Sequence, residues 1–526
     1  DGFELTLAGV LVSVVVLNAL ASRIGIPYPI VLVIGGLALG LLPGMPRVEL
    51  EPDIVLLVFL PPLLYSAAFF AEPRTLRGYA RALSLAAVGL VLATTAVVAV
   101  VGHELLDLTW PMAFALGAIV SPTDPVAATA IMRRLGAPRQ IVDLVESESL
   151  VNDAAALVTY RVALTAAVAG TFSLLDAGGE FLLAAVGGVA LGLVVGYVIG
   201  EIRRRLDDPL TEITLSLVTG YLAFLPAEHL HVSGVLAVVT AGLYMGWRAP
   251  DLMSPATRLE GFAVWDVVTF LLNATLFVLI GLQLPVVTED LDGRSPAELA
   301  VAAGIVIAVV IGVRFAWFFT TPYVIRALDR RARQRERRVG AGGRAVMAWS
   351  GLRGAVSLAT ALALPAATDA GEDMPGRDLI VFVTFIVVLV TVVGQGLTLP
   401  ALVRRVGLVA DGRREADEEA AARVAASDAA LAELDIVTDE GWAAGDAVAR
   451  AREFYEQRLR RWVARGGEAG DGGSEDQSQI GQRIRRRLYV AERRAIVQLR
   501  NTGRISNELM HRLERELDLE ESYLDG

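Results

Sequence analysis

Stretches of about 20 apolar residues recur from the start of the chain to roughly residue 408, each long enough to span a bilayer as a helix. Inside lipid every backbone N–H and C=O must find a partner within the protein, so a chain built of such stretches folds as packed helices. The segments fall at about 5–22, 27–45, 53–70, 82–102, 111–132, 141–168, 180–202, 209–225, 232–247, 262–284, 298–325, 344–366 and 378–403. The expected fold is an all-α polytopic membrane protein of about 13 transmembrane helices over 1–408, with a helical cytoplasmic tail over 409–526. The first span opens on Asp1 and Glu4 rather than on basic residues, which reads as a retained span, not a cleaved signal.

Arginine sets the expected orientation. The connections after spans one, three, five, seven and nine hold Arg23; Arg74, Arg77 and Arg81; Arg133, Arg134 and Arg139; Arg203, Arg204 and Arg205; and Arg248 and Arg258. The eleventh, RALDRRARQRERR, is the most basic, and the even-numbered connections are acidic or neutral. Basic connections stay in the cytoplasm, so the N-terminus is expected outside and the C-terminus inside the cell membrane. Composition removes whole classes of chemistry. The chain has no cysteine and no lysine, which excludes thiol and Schiff-base mechanisms, and its net charge of -11 argues against a nucleic-acid partner. The pair His229 and His231 reads as a polar loop rather than a metal site, and no cofactor is expected.

Charge inside the spans points to function. In span five the stretch SPTDPVA (121–127) sets Asp124 between two prolines, which break the helix and free carbonyls around Thr123. In span six Glu148 and Asn152 are four apart, as are Ser149 and Asp153, so the pairs line adjoining faces. Counted at helical rise, Asp124 lies roughly 20 Å and Asp153 roughly 18 Å from the ends of their spans, both near mid-membrane. Carboxylates, a hydroxyl and free carbonyls are ligands of a hard cation, and broken helices that present them at the midplane are the mark of a secondary transporter. Buried acids need cations or protons. Two later spans offer arginines, Arg314 and Arg353, and Glu148 is a partner for one of them. Arg353 has a second reading, hydrogen bonding to carbonyls freed near Gly351 and Gly354. Glu146, nearer the cytoplasmic end, reads as a solvated helix face in preference to an entrance funnel. Span twelve, with its glycine-rich GLRGA, is also interrupted, and spans five and twelve are expected to cross near the midplane as halves of an inverted repeat. Gly188, Gly192, Gly196 and Gly200, and Gly36, Gly40 and Gly44, form small-residue ridges suited either to packing within one protomer or to a dimer seam.

The motifs SPTDPVA (121–127), ESLVNDA (148–154), LFVLIGLQLP (276–285) and GLRGA (351–355) resemble those of the bacterial sodium/proton antiporters of the monovalent cation/proton antiporter-1 family. The resemblance covers roughly 5–408. It implies a homodimer in membrane lipid, with a dimerisation part at approximately 1–72 and 178–285 and an ion-transport core at approximately 80–170 and 297–408. It implies Na⁺ ligation by Asp124, Asp153, Ser149 and the Thr123 carbonyl, with Glu148 acting through water or a salt bridge to Arg314. Asn152 stands where electrogenic relatives carry a second aspartate, which implies electroneutral exchange of one Na⁺ or Li⁺ per H⁺. The residues do not select Na⁺ over K⁺. Two other classes share some features: a cation channel, whose pore broken helices also line, and an intramembrane aspartyl protease built on Asp124 and Asp153. The protease leaves Glu148, Asn152 and the buried arginines without a task.

Beyond 408 the chain turns polar and alanine-rich, with a linker GGEAGDGGSEDQS (466–478) and a stripe of Ile505, Leu509, Leu513 and Leu517 expected to pack on a partner helix.

Overall fold

The computed structural model describes residues 2–43, 52–71, 83–169, 174–206, 208–289, 295–328, 339–368, 373–408 and 412–466, with single positions among 488–517. Gly44, Arg74, Arg77, Arg81, the arginine-rich run 329–338, the linker 467–478, Ile505 and Leu509 lie outside the described residues. The apolar segments fold as α1 (Gly2–Ile24), α2 (Tyr28–Gly40), α3 (Pro52–Phe70), α4 (Ala87–Leu106), α5 (Trp110–Val120), α6 (Val126–Arg134) and α7 (Arg139–Ala169). There follow α8 (Leu174–Arg203), α9 (Pro209–His229), α10 (Gly234–Leu252), α11 (Pro255–Leu282) and the short α12 (Leu284–Glu289). α13 (Pro296–Leu328), α14 (Ala341–Trp349), α15 (Ala355–Leu362) and α16 (Arg377–Val406) complete the apolar part.

No β-strand occurs among the described residues, and seven of the described helices are long and apolar enough to cross a membrane. Three further apolar helices are shorter. α5 and α6 are short because Pro122 and Pro125 divide one span, and α14 and α15 because residues 350–354 divide another. The chain is a multi-pass membrane protein.

Clustering of contacts separates Asp1–Ala410 from Asp411–Gly526. Within the first unit, apolar side chains gather in two large clusters. One holds Leu116, Ile119, Ile131, Val310, Met347, Leu358 and Phe385. The other holds Leu64, Tyr65, Phe224, Val238, Met245 and Trp265, together with Leu150 and Ala154 of α7. α7 therefore touches both.

The glycine ridges are spent within one protomer. A Cβ on Gly192 of α8 would overlap the Ala237 carbonyl of α10 and lie 2.7 Å from Thr240 Cβ. A Cβ on Gly36 of α2 would overlap the Val278 carbonyl and lie 3.2 Å from the Gly281 Cα of α11. Backbones meet directly at both places, which is how helices associate where lipid offers no hydrophobic drive. The second unit contains an antiparallel pair, α17 (Gly412–Glu440) and α18 (Gly445–Gly466), turned at Gly441 with φ of +71°. Arg423 of α17 lies over the Trp462 ring of α18 at 4.1 Å, and Arg452 pairs with Asp435.

Because the α8–α10 contact has no spare volume, Gly192→Val is expected to destabilise the protein by about 1–3 kcal/mol through overpacking. The check is a lower thermal midpoint in detergent, while Gly304→Ala, with open space around its Cα, leaves the midpoint unchanged.

Candidate functional site

The site forms where the two interrupted spans meet. Between α5 and α6 the Asp124 backbone N–H donates to the Leu352 carbonyl at 2.7 Å, so each break supplies the hydrogen bond that the other lost. Ser121 Oγ back-bonds to the Ala118 carbonyl at 3.0 Å, and Ser350 Oγ to the Met347 carbonyl at 3.0 Å. Asp124 Oδ1 accepts from the Val126 N–H at 2.9 Å and so caps the first turn of α6. The breaks touch so closely that a Cβ on Gly354 would lie 2.6 Å from Asp124 Cβ and overlap its carboxylate. The crossing therefore requires glycine at 354.

Arg353 does not pair with an acid. It is 2% exposed, and its Nε donates to the Val120 carbonyl at 3.0 Å while Nη1 donates to the Gly351 carbonyl. Its positive charge therefore sits at the C-terminal end of α5, where the helix dipole is negative. A π turn at Thr391–Gln395 of α16 carries Thr391, whose Oγ1 accepts from the Arg353 backbone N–H at 3.1 Å.

Glu148 pairs with Arg314 instead. The contact is two-pronged, Nη1 to Oε1 at 2.6 Å and Nη2 to Oε2 at 3.2 Å, between side chains each 2% exposed. Arg314 Nε and Nη2 also reach the Met347 carbonyl at 3.3 and 3.1 Å, and the guanidinium lies 5.0 Å over the Phe318 ring. All of its donor nitrogens are thus engaged, as a desolvated guanidinium requires.

A cavity of about 600 Å³ opens beside this crossing. Thr123, Asp124, Ser149 and Asp153 all line it. Asn152 stands behind the lining, its Nδ2 donating to Thr123 Oγ1 at 2.8 Å. Of the six residues expected at the ion site, four share the cavity, Asn152 braces one of them, and Glu148 faces Arg314. The cavity also takes in residues that the sequence reading passed over. α11 contributes Asp266, Thr269 and Asn273, and the first turn of α15 contributes Ala355 and Ser357. Their signal was present: Asp266, Thr269 and Asn273 are the polar positions of one face in an otherwise apolar stretch. Glu146 corrects the expectation of a merely solvated face. It lines the cavity and binds Arg133 at 2.7 Å. At the other end of α7, Arg161 reaches across to Glu228 of α9 at 2.8 and 2.6 Å.

The family model for the transmembrane sodium/hydrogen exchanger matches residues 9–405. An uncharacterised Na⁺/H⁺ exchanger of Mycobacterium tuberculosis is 36% identical over 519 residues, covering 97% of this chain and 94% of that protein. A Na⁺/H⁺ antiporter of Aphanothece halophytica is 33% identical, covering 78% and 76%. A sodium, potassium, lithium and rubidium/H⁺ antiporter of Bacillus pumilus is 32% identical, covering 72% and 58%. In fold, the chain matches the sodium proton antiporter MjNhaP1 of Methanocaldococcus jannaschii with a TM-score of 0.61 at 19% identity, covering 77% of this chain and 99% of that one.

Removing one member of the buried pair strands the other charge, a loss on the order of 3–5 kcal/mol. Glu148→Gln is therefore expected to lower the thermal midpoint sharply. Glu148→Gln combined with Arg314→Gln should recover part of that loss, and a double variant no more stable than the single would contradict the pairing.

Proposed function

This chain belongs to the sodium/hydrogen exchanger family, a family of transporters rather than enzymes, and on that premise we propose that Asp124 and Asp153 form one site shared by Na⁺ and H⁺. The observation that carries the reading is a single cavity in which two carboxylates, a serine hydroxyl and a threonine converge where both helix breaks meet. Neither carboxylate has an ion pair among the described residues: Arg314 is taken by Glu148, Arg353 by carbonyls and Arg133 by Glu146. Their charge must be balanced by something that arrives through the cavity. A proton on the carboxyl group or a small alkali cation among the oxygens does so, and each excludes the other. An empty, doubly charged site is costly to carry past the apolar seam, and that penalty couples the two fluxes.

Asn152 is uncharged and spends its amide on Thr123, so the position next to Asp153 in the chain adds no third acid. This supports exchange of one proton per Na⁺ with no net charge moved. Na⁺ and Li⁺ are the proposed substrates. The cavity carries arginines at its mouth, Arg133 and Arg139, and by the distribution of basic connections that mouth is cytoplasmic, with the N-terminus outside. Toward the other side, Leu150 and Ala154 are packed into an apolar cluster, and the half-exposed pair Arg161–Glu228 ties α7 to α9. Alternating access would open that seam and close the mouth. A homodimer embedded in lipid is proposed on the resemblance alone.

In proteoliposomes, a Na⁺ pulse should drive proton movement without any current across a solid-supported membrane. Asp153→Asn should abolish the exchange with the protein still folded, and persisting Na⁺-driven proton flux in that variant would remove Asp153 from the mechanism. Because the chain has no cysteine, Leu157→Cys gives one thiol just inside the closed side. Adding Glu228→Gln should speed its labelling by an impermeant maleimide from outside, and exchanging the two charges (Arg161→Glu with Glu228→Arg) should slow it again.

A further inference from the structure

The cavity wall has an acid that the exchange site does not use. Asp266 of α11 faces the cavity opposite α6 and α7, and its side chain is exposed there. The charged groups around it are accounted for. Arg133 binds Glu146 at 2.7 Å, and Arg139 and Asp143 both engage other groups. Asp124 and Asp153 are the proposed site itself. Asp266 has no ion pair among the described residues, whereas Glu146 binds Arg133 and Asp143 has an interaction of its own. A carboxylate between apolar turns of a transmembrane helix is expensive unless it meets water or a cation. Here its side chain is exposed and lines the cavity. Thr269 and Asn273 follow it at three and seven residues on the same face, and both line the same cavity. They form an oxygen-bearing track along α11, with Asp266 about two turns nearer the start of the helix than Asn273.

We propose that Asp266 is a positioning residue that recruits the entering cation. It concentrates Na⁺ inside the mouth and hands it along the α11 face to Asp124 and Asp153. This rests on the antiport reading. A single negative charge in a cleft with apolar walls focuses the field and raises the local concentration of a monovalent cation. Because the group is wet, the effect is screened by salt. The action falls on binding and not on turnover, since Asp266 stands on α11, a different helix from those that carry the two carboxylates that exchange the proton.

The test uses the full chain in everted membrane vesicles, which present the mouth to added Na⁺, and in right-side-out vesicles, which present the other side. With Asp266→Asn in everted vesicles, the apparent KM for Na⁺ should rise about threefold to tenfold with Vmax unchanged. Much of the dependence of KM on added choline chloride should disappear with it. Asp266→Glu should restore KM to within about twofold. In right-side-out vesicles the Asn variant should match the unaltered chain. An unchanged KM in everted vesicles overturns the proposal. So does a fall in Vmax at constant KM, which marks a packing role. If the unaltered chain exchanges Na⁺ for H⁺ and Asp153→Asn does not, the antiport reading stands whatever Asp266 does, so the two failures are told apart.

Discussion

A helix broken inside a bilayer survives only if the backbone groups it frees are bonded again within the protein. That requirement organises the transmembrane unit. Two breaks are placed against each other so that the Asp124 N–H meets the Leu352 carbonyl, and Arg353 takes the carbonyls of Val120 and Gly351. The hydroxyls of Ser121 and Ser350 fold back onto carbonyls of the preceding turns. Glycine at 354 is what allows the two chains to touch at all. With so much of the local backbone satisfied by fixed partners, the Asp124 carboxylate is left to face the cavity.

The same economy governs charge. A buried acid and a buried base cancel, and whatever is cancelled cannot take part in exchange. Glu148 and Arg314 cancel each other completely, with Met347 and Phe318 filling the remaining faces of the guanidinium. Arg353 is neutralised by dipoles at a helix end. This segregation matters more than the number of acids. Had either arginine reached Asp124 or Asp153, a permanent cation would occupy the place that a proton or a metal ion must vacate. The polar cluster of α7 therefore splits by face: Glu148 looks into packed protein, while Ser149 and Asp153 line the cavity.

Much of this could be read along the chain, and the part that could not has one physical cause. Hydropathy located the apolar segments, the double proline marked the first break, and GLRGA the second. Four-residue spacing put Ser149 and Asp153 on one face. Periodicity defines which side chains share a face but not what that face meets. So spacing did not choose between Arg314 and Arg353 as partner of Glu148, and only the family resemblance pointed to Arg314. It did not say whether the glycine ridges of α2 and α8 serve a neighbouring helix or a second protomer. The stripe Asp266, Thr269, Asn273 was visible as polarity in an apolar span, but only the packing of α11 across from α6 and α7 turns it into a cavity wall. Glu146 was misjudged for the same reason: a helix face near an end looks solvated until a second element stands opposite.

The location of the cavity relative to the two apolar clusters bears on how the site could change sides. Its lining draws Leu60, Leu64 and Leu150 from one cluster and Leu276 and Ala355 from the other, so it lies on the seam between them. Glu148–Arg314 and the Asp124–Leu352 bond lie on one side of that seam, among α5, α6, α7, α13, α14 and the break before α15. Sliding along the seam would expose the carboxylates to either face of the membrane without unmaking the bonds that hold the breaks together. What such a movement must undo is weaker: apolar contact around Leu150 and Ala154, and the half-exposed pair of Arg161 and Glu228. Exposed ion pairs contribute on the order of 1 kcal/mol or less, whereas stranding a buried one costs several times that. The buried ion pair and the bond that joins the breaks thus lie on one side of the seam, while the exposed pair Arg161–Glu228 reaches across it, a distribution suited to alternation between two states of similar energy.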